Sequence, residues 1–207
     1  MEVSFIPYVA PEIDPYLNDP KIVFIYNVTS TEEDTLILGN EYRDTIESME
    51  IDGVELNEIV NTYRFNTIGE HVIKYAYSGY SGNNTNLKCL TSVFVYENGL
   101  SIDEAYIPIT SAYIPNTIES IDVAAFKNCT QLTSIILGNS VNFLSTNAFK
   151  GCSNLSSIRC ATIIAPQIVD DSFQNIAANG ILYVPTGATG YDTWLTALGN
   201  GWTKVEF

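Results

Sequence analysis

The residues best suited to nucleophilic or metal chemistry are four cysteines: Cys89, Cys129, Cys152 and Cys160. They include no C-x-x-C pair and no accompanying group of histidines, so the ligand spacing of a zinc site is absent. Cys129 and Cys152 occupy the same position of a pattern with a period of 23 residues. Such a period is typical of a solenoid, in which equivalent residues of neighbouring coils lie about 4.8 Å apart. This separation of the two cysteines is outside the roughly 3.5 to 4.5 Å that disulfide Cβ atoms prefer. We therefore predict buried, reduced thiols that act as small core residues.

A single histidine and two acidic runs complete the candidates for catalysis or metal binding. His71 lies at a predicted strand start, and the local sequence arranges no nucleophile or carboxylate beside it, so we expect a turn or surface role. Residues 32–34 and 170–171 lack the alternating oxygen ligands of an EF-hand loop and are predicted to be solvated turns. No phosphate-binding glycine loop and no G-x-S-x-G elbow occurs. We predict a protein that is not an enzyme and has no cofactor and no metal.

The composition excludes further classes of function. The 207 residues include 24 acidic and 9 basic side chains, and the net charge of −15 repels phosphate backbones, so we expect no nucleic-acid partner. No apolar run reaches 18 residues, which predicts no membrane span. The first residues have no basic start, and Pro7 interrupts the apolar stretch that a signal peptide requires.

An 11-residue sequence pattern occurs twice, and it indicates the secondary structure that would position functional residues. Residues 125–135 read AFKNCTQLTSI and residues 148–158 read AFKGCSNLSSI, 23 residues later. A period in the twenties, with apolar residues at matching offsets, predicts a solenoid whose units bury their faces by stacking on each other. Phe126 and Phe149 are predicted to form one aromatic column.

These two stretches resemble the BspA-like leucine-rich repeat. Residues 111–121 align with residues 134–144 at the same period, so a partial repeat precedes the two clear ones. A more divergent repeat, which contains Phe173, follows them. Residues 182–202 resemble the closing cap of that family. The resemblance implies a leucine-rich-repeat solenoid over residues 99–207, with a surface-associated recognition or adhesion function exerted through the repeat face.

The first half of the chain is predicted to hold an arm and a small β domain. Residues 1–20 contain four prolines, which favour an extended arm that is either an ordinary leader or a docking segment. Residues 21–98 are predicted to be strands: residues 22–26 are an apolar run, and residues 62–65 and 71–75 alternate apolar and polar side chains. Together with the tight-turn pair Asp52-Gly53, they predict an antiparallel β-sandwich-like domain. Residues 49–54 and 69–75 are similar to immunoglobulin-like modules that precede such repeats. A strand that starts at Leu90 either closes this domain or opens the solenoid.

The strand register decides which repeat residues face a partner, because side chains alternate across each strand. The residues predicted to point inward are Ile135, Leu137, Ile158 and Cys160. One predicted outward row consists of Tyr113, Ile136, Arg159 and Tyr183, and the row beside it of Ser111, Ser134, Ser157 and Ile181. Such a face is either mixed exposed surface or a shallow recognition surface. Tyrosine and arginine are enriched in interface hot spots, so the first row supplies the candidate binding residues.

Two hypotheses for the function remain. The BspA-like resemblance implies a non-catalytic adhesion module at the cell surface or in the extracellular space, with a protein or glycan partner. The lack of a signal-like start and the proline-rich arm instead favour a structural or decoration subunit of a larger assembly, such as a phage virion, whose partners are neighbouring subunits. An export signal or lipid-attachment cysteine upstream of Met1 would favour the first hypothesis, and a native Met1 would favour the second.

Overall fold

The structure is a computed structural model that describes residues 16, 19–37, 46–77, 89–90, 108–169, 171–199 and 201–207. These residues are mostly β-strands. The first half contains β1 (Ile22–Val28), β2 (Thr35–Leu36), β3 (Ile46–Ile51), β4 (Val54–Glu55), β5 (Thr62–Tyr63) and β6 (Gly69–Tyr77). The rest of the chain contains β7 (Cys89–Leu90), β8 (Ile109–Ile114), β9 (Ser120–Ile121), β10 (Ser134–Leu137), β11 (Phe143–Leu144), β12 (Ser157–Cys160), β13 (Gln167–Ile168), β14 (Ile181–Val184), helix α1 (Asp192–Leu198) and β15 (Thr203–Glu206).

The second half is the predicted solenoid, in which each coil gives one strand to each of two parallel sheets. Strands β8, β10, β12, β14 and β15 lie side by side in the first sheet, and β7, β9, β11 and β13 in the second. Ser134 lies opposite Ser111 on one side and Ser157 on the other, so the strands are offset by one sequence period. Equivalent residues of successive coils therefore stack directly on each other.

The turn that contains the repeated phenylalanine needs left-handed backbone at a fixed position of each coil. Asn128, Gly151 and Asn175 occupy that position with φ of 60°, 78° and 62°. Asparagine and glycine are the residues that adopt this conformation at least cost. A Cβ at Gly151 would lie 2.3 Å from Oδ1 of Asn128 in the preceding coil. The Asn128 side chain thus occupies the space that a side chain at position 151 would need, which favours glycine there.

An aromatic column runs through the core of the solenoid. The rings of Phe126 and Phe149 stack with centroids 5.1 Å apart and an interplanar angle of 5°, which confirms the predicted stacking. Phe173 of the divergent repeat stacks on Phe149, with ring centroids 5.7 Å apart. The column continues to Phe24 of β1 at one end and to Trp194 of α1 at the other. It therefore links the first strand, the repeats and the last helix through one buried core.

The N-terminal strands extend the first sheet of the solenoid. Strand β1 pairs antiparallel with β8 on one side and with β6 on the other, and β3 and β4 follow. The sheet order is β15-β14-β12-β10-β8-β1-β6-β3-β4. Strand β7 pairs with β9, so the strand beginning near Leu90 opens the second sheet of the solenoid, while residues 91–95 lie outside the described part. The predicted boundary between residues 98 and 99 also lies outside it.

A two-stranded sheet of β2 and β5 lies apart from the large sheet in hydrogen bonding but close to its inner face. The Tyr26 and Tyr75 hydroxyls, on β1 and β6, both donate to the carbonyl of Ile37, which follows β2. The ring of Phe65, after β5, packs on His71 with centroids 4.3 Å apart. The predicted antiparallel strands are thus present, and the Asp52-Gly53 turn joins β3 to β4 with φ of 50° and 82°.

The final coil is closed by α1 and β15. Trp194 of α1 is buried and donates its Nε1–H to the carbonyl of Pro166 at 2.8 Å. Trp202 covers Gly180, where a Cβ would lie 2.4 Å from the indole ring, and donates to the carbonyl of Ala177. The exposed strand β15 then ends the sheet with Lys204 and Glu206, charged side chains of the type that protect sheet edges.

Candidate functional site

The described cysteines have the environment of core residues. Cys129, Cys152 and Cys160 are buried and free, as predicted for them, and the side chain of Cys89 lies outside the described part. The Cys152 thiol donates to the carbonyl of Phe126 at 2.9 Å instead of meeting Cys129. Burial raises the pKa of Cys129 to about 12, and it also raises the pKa of Cys152 and Cys160. These thiols are therefore protonated, and a thiol reacts as a nucleophile only when ionised.

His71 has a carboxylate partner that its neighbouring sequence did not reveal. Its Nδ1 lies 2.6 Å from Oδ2 of Asp52, a residue of the β3–β4 turn, and the ring is buried. The expected turn role is found in this contact, whereas the expected surface position is wrong because Phe65 covers the ring. Asp52 also accepts a hydrogen bond from the Val72 backbone, so the pair ties the turn to β6.

The hydroxyl of Thr67 gives this pair the outline of a nucleophile, base and acid triad. Its Oγ1 lies 3.3 Å from Nε2 of His71, but the Thr67 carbonyl lies nearer to the same nitrogen, at 2.9 Å. The backbone carbonyl, and not the hydroxyl, is thus the nearer partner of Nε2. The ring is buried against Phe65, and its contacts with Asp52 and Thr67 tie the β3–β4 turn and residue 67 to β6.

The first acidic run is exposed, and the described residue of the second, Asp171, is partly buried in a turn. Glu32, Glu33 and Asp34 are exposed, and Asp34 accepts a hydrogen bond from Arg64 at 2.8 Å. Asp171 accepts from the Asn147 backbone, and Asp170 lies outside the described part. Among the described residues, no three histidine, cysteine or acidic side chains come together as a metal site would require.

The outer face of the large sheet carries the row of candidate binding residues. Strand pairing places Tyr113 beside Ile136, Ile136 beside Arg159, and Arg159 beside Tyr183, and all four side chains are partly exposed. We call these four residues the recognition row. The second predicted row lies next to it, with Ser111 and Ser134 hydrogen bonded to each other at 2.8 Å. The residues predicted to point inward are all buried: Ile135, Leu137, Ile158 and Cys160.

Two members of the recognition row have aromatic neighbours that sequence reasoning missed. The ring of Tyr16 meets Tyr113 edge to face, with centroids 5.0 Å apart. The guanidinium of Arg159 lies over the ring of Phe207, 3.6 Å from its centroid. Neither contact has a periodic signal, because Tyr16 and Phe207 lie outside the repeated pattern. Within the row, Phe207 thus holds the Arg159 side chain, and Tyr16 contacts Tyr113.

The same outer face continues onto β1, β6 and β3, where it becomes charged. Lys74 of β6 lies 2.7 Å from Asp19 and 3.8 Å from Glu50, and Lys21 lies 3.0 Å from Glu50. The hydrogen bond to Asp19 raises the pKa of Lys74 above its ordinary value. Burial raises the pKa of Asp19, but the hydrogen bonds from Lys74 and from the Lys21 backbone outweigh it and lower that pKa overall. Both groups are therefore charged at neutral pH.

A second surface feature was not predicted from the sequence. A groove of about 460 Å³ lies at the coil corners that follow β10 and β12, between residues 139–142 and residues 161–164. Ile163 and Ile164, on one side of this groove, are exposed. They are the fourth and fifth residues of an apolar and small-residue run in the sequence, which gave no indication that the run would turn outward.

Comparison with known families agrees with the geometry of the coils. Residues 104–190 match the family described as BspA type leucine rich repeat region (6 copies). No curated protein and no solved structure matches the chain significantly. Within the described residues, no helix has the length and apolar content needed to cross a membrane. Repeats of this family are typical of protein-binding or adhesion modules, and such solenoids are typically non-catalytic scaffolds. The predicted repeats are thus confirmed, the immunoglobulin-like module stays a prediction, and residues 104–190 form a BspA-type leucine-rich repeat region.

Proposed function

We propose that the repeat region is a non-catalytic recognition module that binds a protein or glycan partner through the outer face of its large sheet. The observation that carries the proposal is the recognition row, in which Ile136, Arg159 and Tyr183 lie side by side across three parallel strands. Aromatic and arginine side chains are enriched in hot spots, and parallel strands present them at fixed steps of about 4.8 Å. A partner that crosses the strands can contact several coils at once.

Preorganisation supports the same surface. The inner side chains of β10, β12 and β14 are packed in the core, which fixes the backbone that carries the row. Phe207 holds the Arg159 guanidinium in place, so less side-chain freedom is lost on binding. The row is bordered by serines and by Ile181, which gives a face of low charge suited to a protein or glycan surface.

We place this module at a surface, because BspA-type repeats are usually surface-exposed. Its partner is then an extracellular protein or glycan. Binding to further copies of the chain would instead support the assembly hypothesis, and the test must include it.

The test compares binding of the unmodified chain and of a triple variant, Tyr113→Ala, Arg159→Ala and Tyr183→Ala. The binding targets are immobilised extracellular-matrix proteins, a glycan array and the chain itself. We expect the triple variant to lose at least about tenfold in affinity for any target that binds, since each hot-spot truncation costs about 1 kcal/mol or more. A matched variant, Lys127→Ala with Lys150→Ala, changes charged side chains on the turns of the same coils and should keep the affinity.

The unfolding curve of each variant decides whether a loss of binding is local. Outward residues carry little stability, so the triple variant should unfold close to the parent chain. If binding persists in the triple variant and removal of residues 1–20 abolishes it, the sheet is only a scaffold and the arm is the contact. Self-association as the only interaction lost in the triple variant would favour the assembly hypothesis.

A further inference from the structure

Residues that precede β1 lie across the outer face of the large sheet. Tyr16 contacts Tyr113 of β8, with ring centroids 5.0 Å apart, and Lys74 of β6, whose Nζ lies 5.6 Å from its ring centroid. Val23 of β1 is paired in register with both Tyr113 and Lys74. The tyrosine ring therefore bridges the two cross-strand neighbours of Val23.

The burial of Val23 shows how completely this face is covered. Val23 is fully buried, yet it stands outside the core cluster that contains Ile22 and Phe24, the residues before and after it in β1. Side chains alternate across a strand, so Val23 points to the outer face. An outward valine in a solvent-exposed sheet would be accessible, and the Tyr16 ring, which contacts both cross-strand neighbours of Val23, is positioned to cover it.

An ion pair holds the same segment. The carboxylate of Asp19 lies 2.7 Å from Nζ of Lys74, and the two side chains are only 15% and 22% exposed. The Arg64–Asp34 pair, in contrast, has side chains 59% and 52% exposed. Exposed pairs contribute little, whereas a sheltered charge-assisted hydrogen bond is stronger and directional. Tyr16 and Asp19, which are three residues apart, thus both contact Lys74: the tyrosine through its ring and the aspartate through an ion pair.

We propose that Tyr16 and Asp19 form an intramolecular strap that competes with the binding partner for the Tyr113 end of the recognition row. The Asp19 backbone N–H donates to the Tyr16 carbonyl at 3.0 Å, so the two residues belong to a tight turn. The partner element that replaces the strap has the same chemistry, a peptide turn with an aromatic residue and a carboxylate three positions later. This proposal rests on the proposed function, because the strap regulates access to the same face. The site on β8, β1 and β6 is a peptide-binding site that the chain itself fills.

The tether between the strap and β1 sets the strength of this competition. Tyr16 lies six residues before Ile22, and short tethers give effective concentrations on the order of 1 mM. The apparent affinity for a competing peptide falls by the fraction of molecules in which the site is open. If the isolated segment binds with a Kd of about 0.1 mM, about one molecule in ten is open, and disabling the strap strengthens peptide binding about tenfold.

The test uses a fluorescent peptide with the sequence of residues 12–21 as the probe. Its binding is measured by anisotropy on the unmodified full chain and on a full chain with Tyr16→Ala and Asp19→Ala. We expect about tenfold tighter binding to the double variant. A chain with Asp19→Asn alone, which alters the surface least, should give an intermediate gain and guards against misfolding of the double variant.

Two controls make the result specific to this face. Adding Lys74→Ala to the double variant should abolish peptide binding, whereas adding Lys150→Ala should leave it unchanged. A peptide in which the tyrosine is replaced by alanine should bind no variant. Equal binding to the unmodified chain and the double variant would overturn the proposal, and so would the absence of binding at millimolar peptide, because a contact that weak excludes no partner.

The outcome separates this proposal from the recognition function. The peptide assay uses no external partner, so it can succeed while the panel of matrix proteins and glycans gives no binding; the strap would then stand and the recognition function would fail. Conversely, a panel target that needs Tyr113 as well as Arg159 and Tyr183, but binds the double variant and the unmodified chain equally, would leave the recognition face intact and eliminate the strap.

Discussion

The repeat strands and the N-terminal strands share one sheet and one apolar core, but they differ in net charge and in the polar contacts that they make. Residues 104–207 contain 7 acidic and 4 basic residues, a net charge of −3, and their coils repeat buried phenylalanine, cysteine and leucine at equivalent positions. Residues 1–103 contain 17 acidic and 5 basic residues, a net charge of −12. In addition to their share of the core, their strands carry individual polar contacts, such as Asp52 to His71 and Asp19 to Lys74.

The difference shows where each region can vary. In the repeats, stability comes from inward positions that stack on their equivalents, so the outward positions are free to serve recognition. In the N-terminal strands, the outward positions hold the ion pairs themselves. A substitution on the outer face should therefore alter binding alone when it lies in a repeat, and local order as well when it lies on β6 or β3.

The largest expected effect is on the aromatic column. Phe126 contacts Phe24 of β1 and Phe149 of the next coil, so Phe126→Ala leaves a cavity where the two regions meet. The loss should be about 3 to 5 kcal/mol, measured by denaturant unfolding. Val123→Ala is the control from the same turn, and since its side chain is half exposed it should cost about 0.5 kcal/mol or less. Similar unfolding curves for the two variants would show that the column does not support the core.

The close approach of Asn128 to Gly151 gives the second effect. Gly151→Ala places a Cβ 2.3 Å from Asn128 Oδ1 and forces alanine into left-handed backbone. Gly187 has a similar φ of 77° with open space around it, so Gly187→Ala isolates the backbone cost of about 1 to 2 kcal/mol. The clash should add about 1 to 3 kcal/mol at Gly151, and Asn128→Gly in the same chain should remove that addition. An equal cost at both glycines would refute the clash.

A smaller effect is expected in the N-terminal strands. Asp52→Ala removes the acceptor of the buried His71 and of the Val72 backbone, and the loss should be about 1 to 3 kcal/mol. Asp34→Ala removes a contact of 2.8 Å with Arg64, but both side chains are exposed, so about 0 to 1 kcal/mol is expected. Thermal unfolding of the two variants compares them directly. A larger effect at Asp34 would contradict the assigned role of the buried pair.

No change in stability, but a clear chemical signature, is expected from the thiols. Burial raises the pKa of Cys129 to about 12, so at pH 8 only about one thiol in ten thousand is ionised. Iodoacetamide should leave Cys129, Cys152 and Cys160 unmodified in the folded protein and alkylate all three after denaturation without reductant. Peptide mapping by mass spectrometry reads each site. A crosslinked peptide joining Cys129 to Cys152 would refute the free-thiol assignment.

The predictable parts of this structure are those that repeat. The 23-residue period determines the stacking of Phe126 on Phe149 and the lateral order of the recognition row, because in-register parallel strands convert sequence offsets into contacts. Contacts between unrelated segments have no such signal. The positions of Tyr16 on Tyr113 and of Asp52 beside His71 depend on tertiary packing, and neither sequence neighbourhood reveals the partner.

The pairing that joins the N-terminal strands to the solenoid sheet could not be predicted from the sequence, for the same reason. The pairing of β1 with β8 joins residues separated by more than 80 positions, and their shared alternation of apolar and polar side chains is compatible with many partners. Phe24 completes the aromatic column only because that pairing brings it onto Phe126.

Hydroxyl-radical footprinting of the complex with whichever panel target binds is the most direct test of recognition through the outer face. We expect the target to protect Ile136 and Tyr183, while Val123 on the turn face and Ile163 and Ile164 beside the corner groove are oxidised as in the free protein. Protection of Ile163 and Ile164 with unchanged oxidation of Tyr183 would contradict it and would move the binding site from the sheet to the groove.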